Sequence, residues 1–255
     1  MKNDPFVDII LPNHNNAAYL EEAVDSVLQQ TYKNWRLYII DDFSQDESRT
    51  LINNYKKKEN KINAFFLDKH EGAFHSRNLA LQLSKSDYIS FLDSDDYWSK
   101  NKLEEQINFM EKHNHLFTYT NYTPFVSKNN KIFFKEEIIH VESLNYEQFL
   151  NNTSISMSSM IIKRSILGTV KFPNVKRCED YSFKCDLLKK GITAVKLNSN
   201  LTYYRISKGS LQSNKFKTVY WVWYINKNLN KLSFFKNLKS ILFIIMSSIK
   251  RYGIK

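Results

Sequence analysis

Apolar residues in the first 115 positions fall into short continuous runs separated by stretches of helical spacing. Val7-Asp8-Ile9-Ile10-Leu11 reads as a strand, and Leu20, Val24, Val27 and Leu28 then recur at 3.6-residue spacing, with Asn15 or Asn16 placed as an N-cap. Leu37 to Ile40 is a second strand, and a helix follows from about Glu47 to Lys57. Ile62 to Leu67, Ala73 to Leu83 and Tyr88 to Leu92 read as strand, helix and strand. Ser99 is expected to cap a helix in which Leu103, Ile107 and Met110 share a face. This βαβαβαβα alternation predicts an α/β fold with a mostly parallel central sheet and helices on both faces. Beyond residue 115 the pattern weakens. Phe117 to Tyr122, Lys131 to Phe134, Ser156 to Ile162 and Val195 to Ile206 are strand-like, and Asp180 to Lys190 is helix-like. The chain reads as one domain over 1–210 followed by a tail over 211–255.

Charge sharpens that division. The 255 residues carry a net charge of +11, yet no acidic residue follows Asp186, whereas 14 Lys and Arg do. A mildly acidic body with a purely cationic end points to an anionic partner for the tail. Cys178 and Cys185 are seven apart. On one helix that is roughly 10 Å along the axis, too far for a disulfide, so a reducing compartment is expected. The first apolar run is closed by Pro12, and Ile241 to Met246 is far short of the ~20 residues a spanning helix needs. The expected location is cytoplasmic, peripheral on the inner face of the cytoplasmic membrane.

The predicted sheet sends its strand ends to one edge, where ligands of open α/β sheets bind. Four polar clusters fall there: Pro12 to Asn15, Asp41-Asp42, Asp68 to Gly72, and Asp93 to Asp96. With five glycines, the chain has no dinucleotide fingerprint, P-loop or nucleophile elbow, and its six histidines show no zinc-finger spacing. Read as a calcium loop from Asp93, the sequence places Trp98 where glycine is required. Helix capping would use one carboxylate and leave the others uncompensated. A divalent cation compensates them: Asp93 and Asp95, at i and i+2, offer hard oxygen ligands of the kind Mg²⁺ or Mn²⁺ shares with a diphosphate.

The string IILPNHNNAAYLEEAVDSVLQQTYKNWRLYIIDDFSQDES resembles the opening of the family 2 glycosyltransferases, inverting sugar-nucleotide enzymes with a GT-A fold. HEGAFHSRNLAL, FLDSDDYW and RCEDYSF resemble the family's Gly-x-x-x-x-Arg-Asn segment, its D-x-D and its Glu-Asp base motif, in the family's order. The resemblance is dense over 6–110, looser over 155–210 and absent in the tail. It implies a nucleotide-binding part over about 1–115 and an acceptor part over about 116–210. It further implies a nucleotide site made by Pro12, Asn13, Asn15, Asp41, Asp42, Arg77, Asp93 and Ser94, with Asp42 on the uracil. Asp95 and Asp93 would hold Mn²⁺ or Mg²⁺, and Asp180 would be the catalytic base. Glu179, Trp98 and Arg205 are candidates for acceptor or diphosphate contact. His14 stands where the family often carries Tyr.

The activity implied is transfer of a hexose or N-acetylhexosamine from a UDP-sugar to a hydroxyl of a lipid-linked glycan acceptor, in surface polysaccharide or lipooligosaccharide synthesis. The tail, where Lys alternates with Tyr220, Trp221, Trp223, Phe234, Phe235 and Phe243, suits an interfacial helix on anionic lipid, and no nucleic acid is expected. The alternative is a non-catalytic basic α/β protein binding membrane or nucleic acid. A phosphate-binding surface of that kind would not crowd carboxylates at its strand ends. A nucleotidyltransferase would carry a Gly-rich loop after the first strand, where this chain has Pro-Asn-His-Asn.

Overall fold

The computed structural model describes residues 4–128, 131–206 and 215–252, with side chains described for all of these except 215 and 248–252. The expected boundary between body and tail at 210/211 lies outside the described residues.

The alternating half is built as the pattern predicts. β1 (Val7–Asn13), β2 (Trp35–Asp41), β3 (Ile62–Phe66) and β4 (Tyr88–Phe91) are joined by α1 (Ala17–Leu28), α2 (Ser48–Lys58) and α3 (Ala73–Leu83). All pair in parallel, in the order β3-β2-β1-β4, so their C-terminal ends share one edge. The strand order reverses at β1, and the gap between β1 and β4 is the switch point where such sheets bind ligands. The second half makes the sheet mixed. After β5 (Tyr97–Trp98) and α4 (Lys102–His113) come β6 (Phe117–Lys128), β7 (Lys131–Phe134), β8 (Ser143–Leu144), α5 (Tyr146–Asn151), β9 (Ile161–Lys163), α6 (Glu179–Leu188) and β10 (Ala194–Arg205). β9 joins β4 to β6 antiparallel on both sides, and β10 runs parallel to β6.

Strand alternation sorts the core into two layers. Ile9, Leu11, Leu37 and Ile39 face α1, α2 and α4, whereas Ile10, Tyr38, Ile40 and Phe91 face α3, α5 and α6. Two local expectations are corrected. Ser99 does not cap α4, because Trp98 is taken into β5; Asn101 takes the N-cap position instead, and its side chain bonds Glu105 rather than the helix amides. Ser156 to Ile162 is not one strand: Met157–Ser159 forms a 3-10 turn before β9. That turn places the Ser158 hydroxyl on the Asp96 carboxylate, at 2.6 Å.

One buried acid ties the far edge of the sheet. Asp8 accepts from the Ser84 hydroxyl and the Lys85 and Ser86 amides at 2.8–2.9 Å, and from Arg36 Nε at 3.2 Å. Burial raises its pKa, but the bonds from Ser86, Ser84 and Lys85 outweigh burial and bring it below the usual aspartate value. The stability it contributes is therefore present above the ordinary aspartate pKa and is lost as pH falls through the depressed one. Asp8→Ala removes the acceptor of two amides and of the Ser84 hydroxyl proton and is expected to cost about 3 kcal/mol in urea denaturation.

The C-terminal helices α7 (Lys215–Asn228) and α8 (Phe234–Tyr252) pack on the α5–α6 face. Val222, Ile225 and Ile241 enter that core. Asn226 bonds Tyr181, Asn237 and Ser240, and the Ser240 hydroxyl donates to the Leu150 carbonyl. Outward, α8 presents Phe235, Leu238, Leu242 and Met246, one stripe at helical spacing; Phe235 is 81% and Met246 64% exposed. Among the described residues no helix is long and apolar enough to cross a membrane.

Candidate active site

The four strand-end clusters meet at the C-terminal edge, held by bonds between loops. Asn13 Nδ2 donates to Asp41 Oδ1 (3.0 Å) and Ser44 Oγ (3.2 Å), and Asp41 Oδ2 takes Arg49 Nε (2.9 Å) and the Ser44 amide (3.1 Å). Both side chains are thus committed to shaping the loop after β2. Pro12 precedes them on β1, half-buried. Asp42 turns the other way. Its carboxylate accepts the Glu71 amide (2.7 Å) and the Gly72 amide (2.8 Å), with His70 Nδ1 at 2.9 Å. Gly72 adopts φ +91°, ψ 162° at the start of α3, a conformation open in practice only to glycine. Asn15 bonds Ser44 through its amide and Gln45 through its side-chain oxygen. Asn16 Nδ2 reaches Ser94 Oγ at 2.8 Å, so the expected capping side chain joins the β1 loop to the acidic loop instead.

Backbone strain concentrates here. Of the five non-glycine residues with positive φ among the described residues, Asn15, Phe43 and Cys178 lie beside these clusters. Cys178, at φ 61°, is the N-cap of α6 and turns Glu179 and Asp180 toward the strand ends. A left-handed non-glycine residue costs on the order of 1–2 kcal/mol, and such outliers gather at working sites.

Arg77 on α3 joins the two halves. It is 6% exposed, and its guanidinium reaches Asp93 Oδ1 through Nη2 and Glu179 Oε1 through Nη1, both at 2.7 Å. Burial opposes its charge, but Asp93 and Glu179 outweigh burial and raise its pKa. Burial raises the Glu179 pKa despite Arg77. Asp180, one residue on, behaves oppositely. Burial raises its pKa too, but Lys184, one turn along α6 with Nζ at 2.8 Å, outweighs it and holds the pKa below the usual range. Lys184 is almost fully buried and anchored on the Ile155 carbonyl at 2.7 Å.

The acidic loop is graded in environment. Asp96 is fully buried, accepts from Ser158 Oγ and from the Arg205 amide (2.9 Å), and has its pKa raised well up by burial and by Asp95 and Asp93. Asp95 has no ion-pair partner among the described residues, and burial followed by Asp93's charge pushes its pKa up to about 6. A partly buried carboxylate with no ion-pair contact, beside a second carboxylate, is a donor set suited to a hard divalent cation.

Two expectations are corrected. Trp98 does not face a sugar: it is 3% exposed in the α1–α4 core, donates to the Ser158 carbonyl at 2.7 Å and lies under Lys102. Arg205 is not free for a diphosphate. It is sealed between Tyr19 and Phe125, pairs with Glu22 and donates to the Asp95 carbonyl at 2.9 Å. Its role is to hold the acidic loop in place. Asn78, the last residue of the Arg-Asn segment, clasps the Phe172 backbone at 2.8 and 2.9 Å. Two contributors escaped the sequence reading. Ser158 carries no local signal. Lys184 does, because it stands four residues after Asp180 on one helix.

Lys184→Met is expected to raise the pKa of the Asp180 carboxyl, as followed by its NMR titration. Without Lys184 the burial that raises the Asp180 pKa is no longer offset, so the carboxylate protonates at higher pH.

Residues 8–170 match the Glycosyl transferase family 2 model; Glu179 and Asp180 lie just beyond. The chain is 36% identical over 91% of its length, and 91% of the relative's, to a Bacillus subtilis protein named for teichuronic acid biosynthesis, TuaG. It is 37% identical over 83% of its length, and 81% of the relative's, to the Escherichia coli beta-1,3-glucosyltransferase WfaP. Its fold is similar to that of S. aureus TarS solved with UDP-GlcNAc, with a TM-score of 0.73 at 17% identity over 96% of this chain and 73% of that one. It is also similar to the Pyrobaculum calidifontis mannosyltransferase PcManGT solved with GDP-Man and Mn2+, with a TM-score of 0.70 at 14% identity over 99% and 72%. The parallel strand ends, the acidic loop after β4 and the length of these matches lead to one conclusion: the chain belongs to glycosyl transferase family 2 and is a glycosyltransferase with a GT-A fold.

Proposed function

We propose that the protein moves a hexose or N-acetylhexosamine from a UDP-sugar to a hydroxyl of a lipid-linked saccharide, by metal-assisted single displacement with inversion, in surface-polysaccharide synthesis. The observation that carries this reading is the Arg77 bridge, which joins Asp93 of the acidic loop to Glu179 beside Asp180. It brings a cation-binding loop and a separate carboxylate to one place, as a displacement with a leaving diphosphate and an attacking hydroxyl requires. The relatives support the substrate class: WfaP and WfgD are named as UDP-Glc:alpha-D-GlcNAc-diphosphoundecaprenol beta-1,3-glucosyltransferases.

In this reading Asp95 and Asp93 hold Mn²⁺ or Mg²⁺. The bound cation supplies positive charge against the diphosphate that leaves. Asp42 and the loop residues Pro12, Asn13, Asn15, Asp41 and Ser94 shape the nucleotide pocket. Asp180 accepts the proton of the acceptor hydroxyl, and Lys184 keeps it ionised to do so. Arg77 orients Asp93 and Glu179 relative to one another. Attack opposite the leaving group turns an α-linked donor into a β-linked product. The test is incubation with UDP-glucose or UDP-GlcNAc and GlcNAc-diphosphoundecaprenol, followed by NMR of the product. A new β-anomeric signal is expected; an α-anomeric product would contradict single displacement.

The outward stripe of α8 supports a peripheral place on the inner face of the cytoplasmic membrane, where such an acceptor resides. Lys236 and Lys239 flank the stripe, and the adjoining α7 carries Lys227. Replacing Phe235 and Leu242 with Asp is expected to cut flotation with anionic liposomes at least about tenfold, and raised salt to weaken what remains.

A further inference from the structure

We propose that His14, Asp42 and His70 form a site for a borderline transition-metal ion, Zn²⁺ above all, at the mouth of the strand-end cleft and separate from the carboxylates after β4. Among the described residues these three each offer one ligand atom such that all lie within 4.8 Å of one another. They come from three loops, after β1, β2 and β3, and the two imidazoles already face each other with centroids 4.1 Å apart.

The hydrogen bonds set the histidines up as ligands. His14 Nδ1 lies 2.6 Å from the Asp42 carbonyl oxygen. A carbonyl only accepts, so Nδ1 carries the proton and Nε2 carries the lone pair. Asn15 confirms this assignment. Its side-chain oxygen takes the Gln45 amide, which turns its Nδ2 toward His14 Nε2 at 3.1 Å, a donor onto an acceptor. An imidazole whose other nitrogen donates to a backbone carbonyl is the arrangement metal-bound histidines adopt. Asp42 is equally prepared. The Glu71 and Gly72 amides fix its carboxylate, and His70 Nδ1 stands 2.9 Å from Oδ2, where a shared ion would replace a shared proton.

Two imidazoles and one carboxylate select Zn²⁺ over Mg²⁺ or Mn²⁺, which prefer an all-oxygen shell such as Asp93 and Asp95 provide. Tetrahedral zinc at about 2.0–2.1 Å from each ligand holds the ligand atoms roughly 3.3 Å apart, so His70 Nδ1, at 2.9 Å from Asp42 Oδ2, must draw back slightly. His14 and His70 are exposed and can adjust by side-chain rotation. The fourth position stays open to water. Because Asp42 and the β1 loop also line the proposed nucleotide pocket, ion and nucleotide would exclude one another; this clause alone rests on the function proposed above.

The test is calorimetric titration of Zn²⁺ alone into the untagged full-length protein. One tightly held ion per chain is expected at this site, beside any weaker zinc on Asp93 and Asp95, with His14→Ala and His70→Ala each weakening the tight ion at least about tenfold and Asp95→Ala leaving it unchanged. No tight binding, wild-type binding in both histidine variants, or loss of the tight ion in Asp95→Ala would overturn the site. A second titration follows UDP with one equivalent of Zn²⁺ present. Weakened UDP binding in the wild type but not in His70→Ala is expected. Unweakened UDP binding with the zinc site intact would overturn the exclusion and leave the metal site standing.

Discussion

Asp95→Ala is expected to lower metal-dependent turnover at least about 10³-fold, since in the proposed function Asp95 is a direct ligand to the charge that offsets the leaving diphosphate. The structure separates this loss from misfolding. Asp95's side chain makes no ion pair among the described residues, and its raised pKa shows that burial and Asp93 disfavour its charge. A group whose folded pKa, about 6, exceeds its unfolded value binds more protons when folded. In metal-free buffer the native protein should therefore lose stability as pH rises toward about 6. The alanine variant should be spared that loss and melt no lower than wild type at neutral pH. Low activity in a well-folded, acid-relieved variant is the expected pair of results. A drop in melting temperature together with activity would instead make Asp95 a structural residue.

Asp180→Asn is expected to reduce transfer by about 10²–10⁴-fold while UDP binding changes little. The amide keeps the size of the side chain and loses the carboxylate that the proposed function makes the proton acceptor. Asp180 makes no bond to Asp41, Asp42 or Asp93, so the nucleotide loops keep their own network. Glu179→Gln is the informative contrast. Glu179 already gives an oxygen to Arg77 at 2.7 Å, and its raised pKa follows from burial. Its replacement should loosen the Arg77 bridge and disturb donor affinity more than Asp180→Asn does. If Glu179→Gln eliminated transfer with donor binding intact, and Asp180→Asn did not, the base would be Glu179.

Much of this architecture was legible in the sequence, for a physical reason. In the first 115 residues each strand is a local apolar run and each helix a local 3.6-residue pattern, so fold class and strand ends could be read without distant contacts. The acids at those ends were conspicuous because like charges do not crowd without compensation. What lay beyond reading was set by partners far away in the chain. Arg77 and Glu179 are 102 positions apart, Ser158 and Asp96 62 apart, and the Arg205 amide and Asp96 109 apart. No local pattern reports such pairs. Trp98 and Arg205 were misjudged for the same cause. An aromatic and a cation near the strand ends fit a ligand site and a core equally well. Ser158 decides Trp98 by taking its indole N–H, and Tyr19 and Phe125 decide Arg205 by enclosing its guanidinium. The tail shows both halves of the problem at once: its inward residues Val222, Ile225 and Ile241 are set by a surface the sequence cannot display, while its outward stripe and its excess of lysine are visible directly.

The most direct test of the central claim is UDP release from a panel of UDP-sugars, with Mn²⁺, Mg²⁺ or EDTA, by wild type and Asp95→Ala. The account predicts slow release from one donor that needs the cation, stops with EDTA and is absent in the variant. Release that persists in EDTA and in Asp95→Ala, or no release and no UDP binding at all, would contradict it.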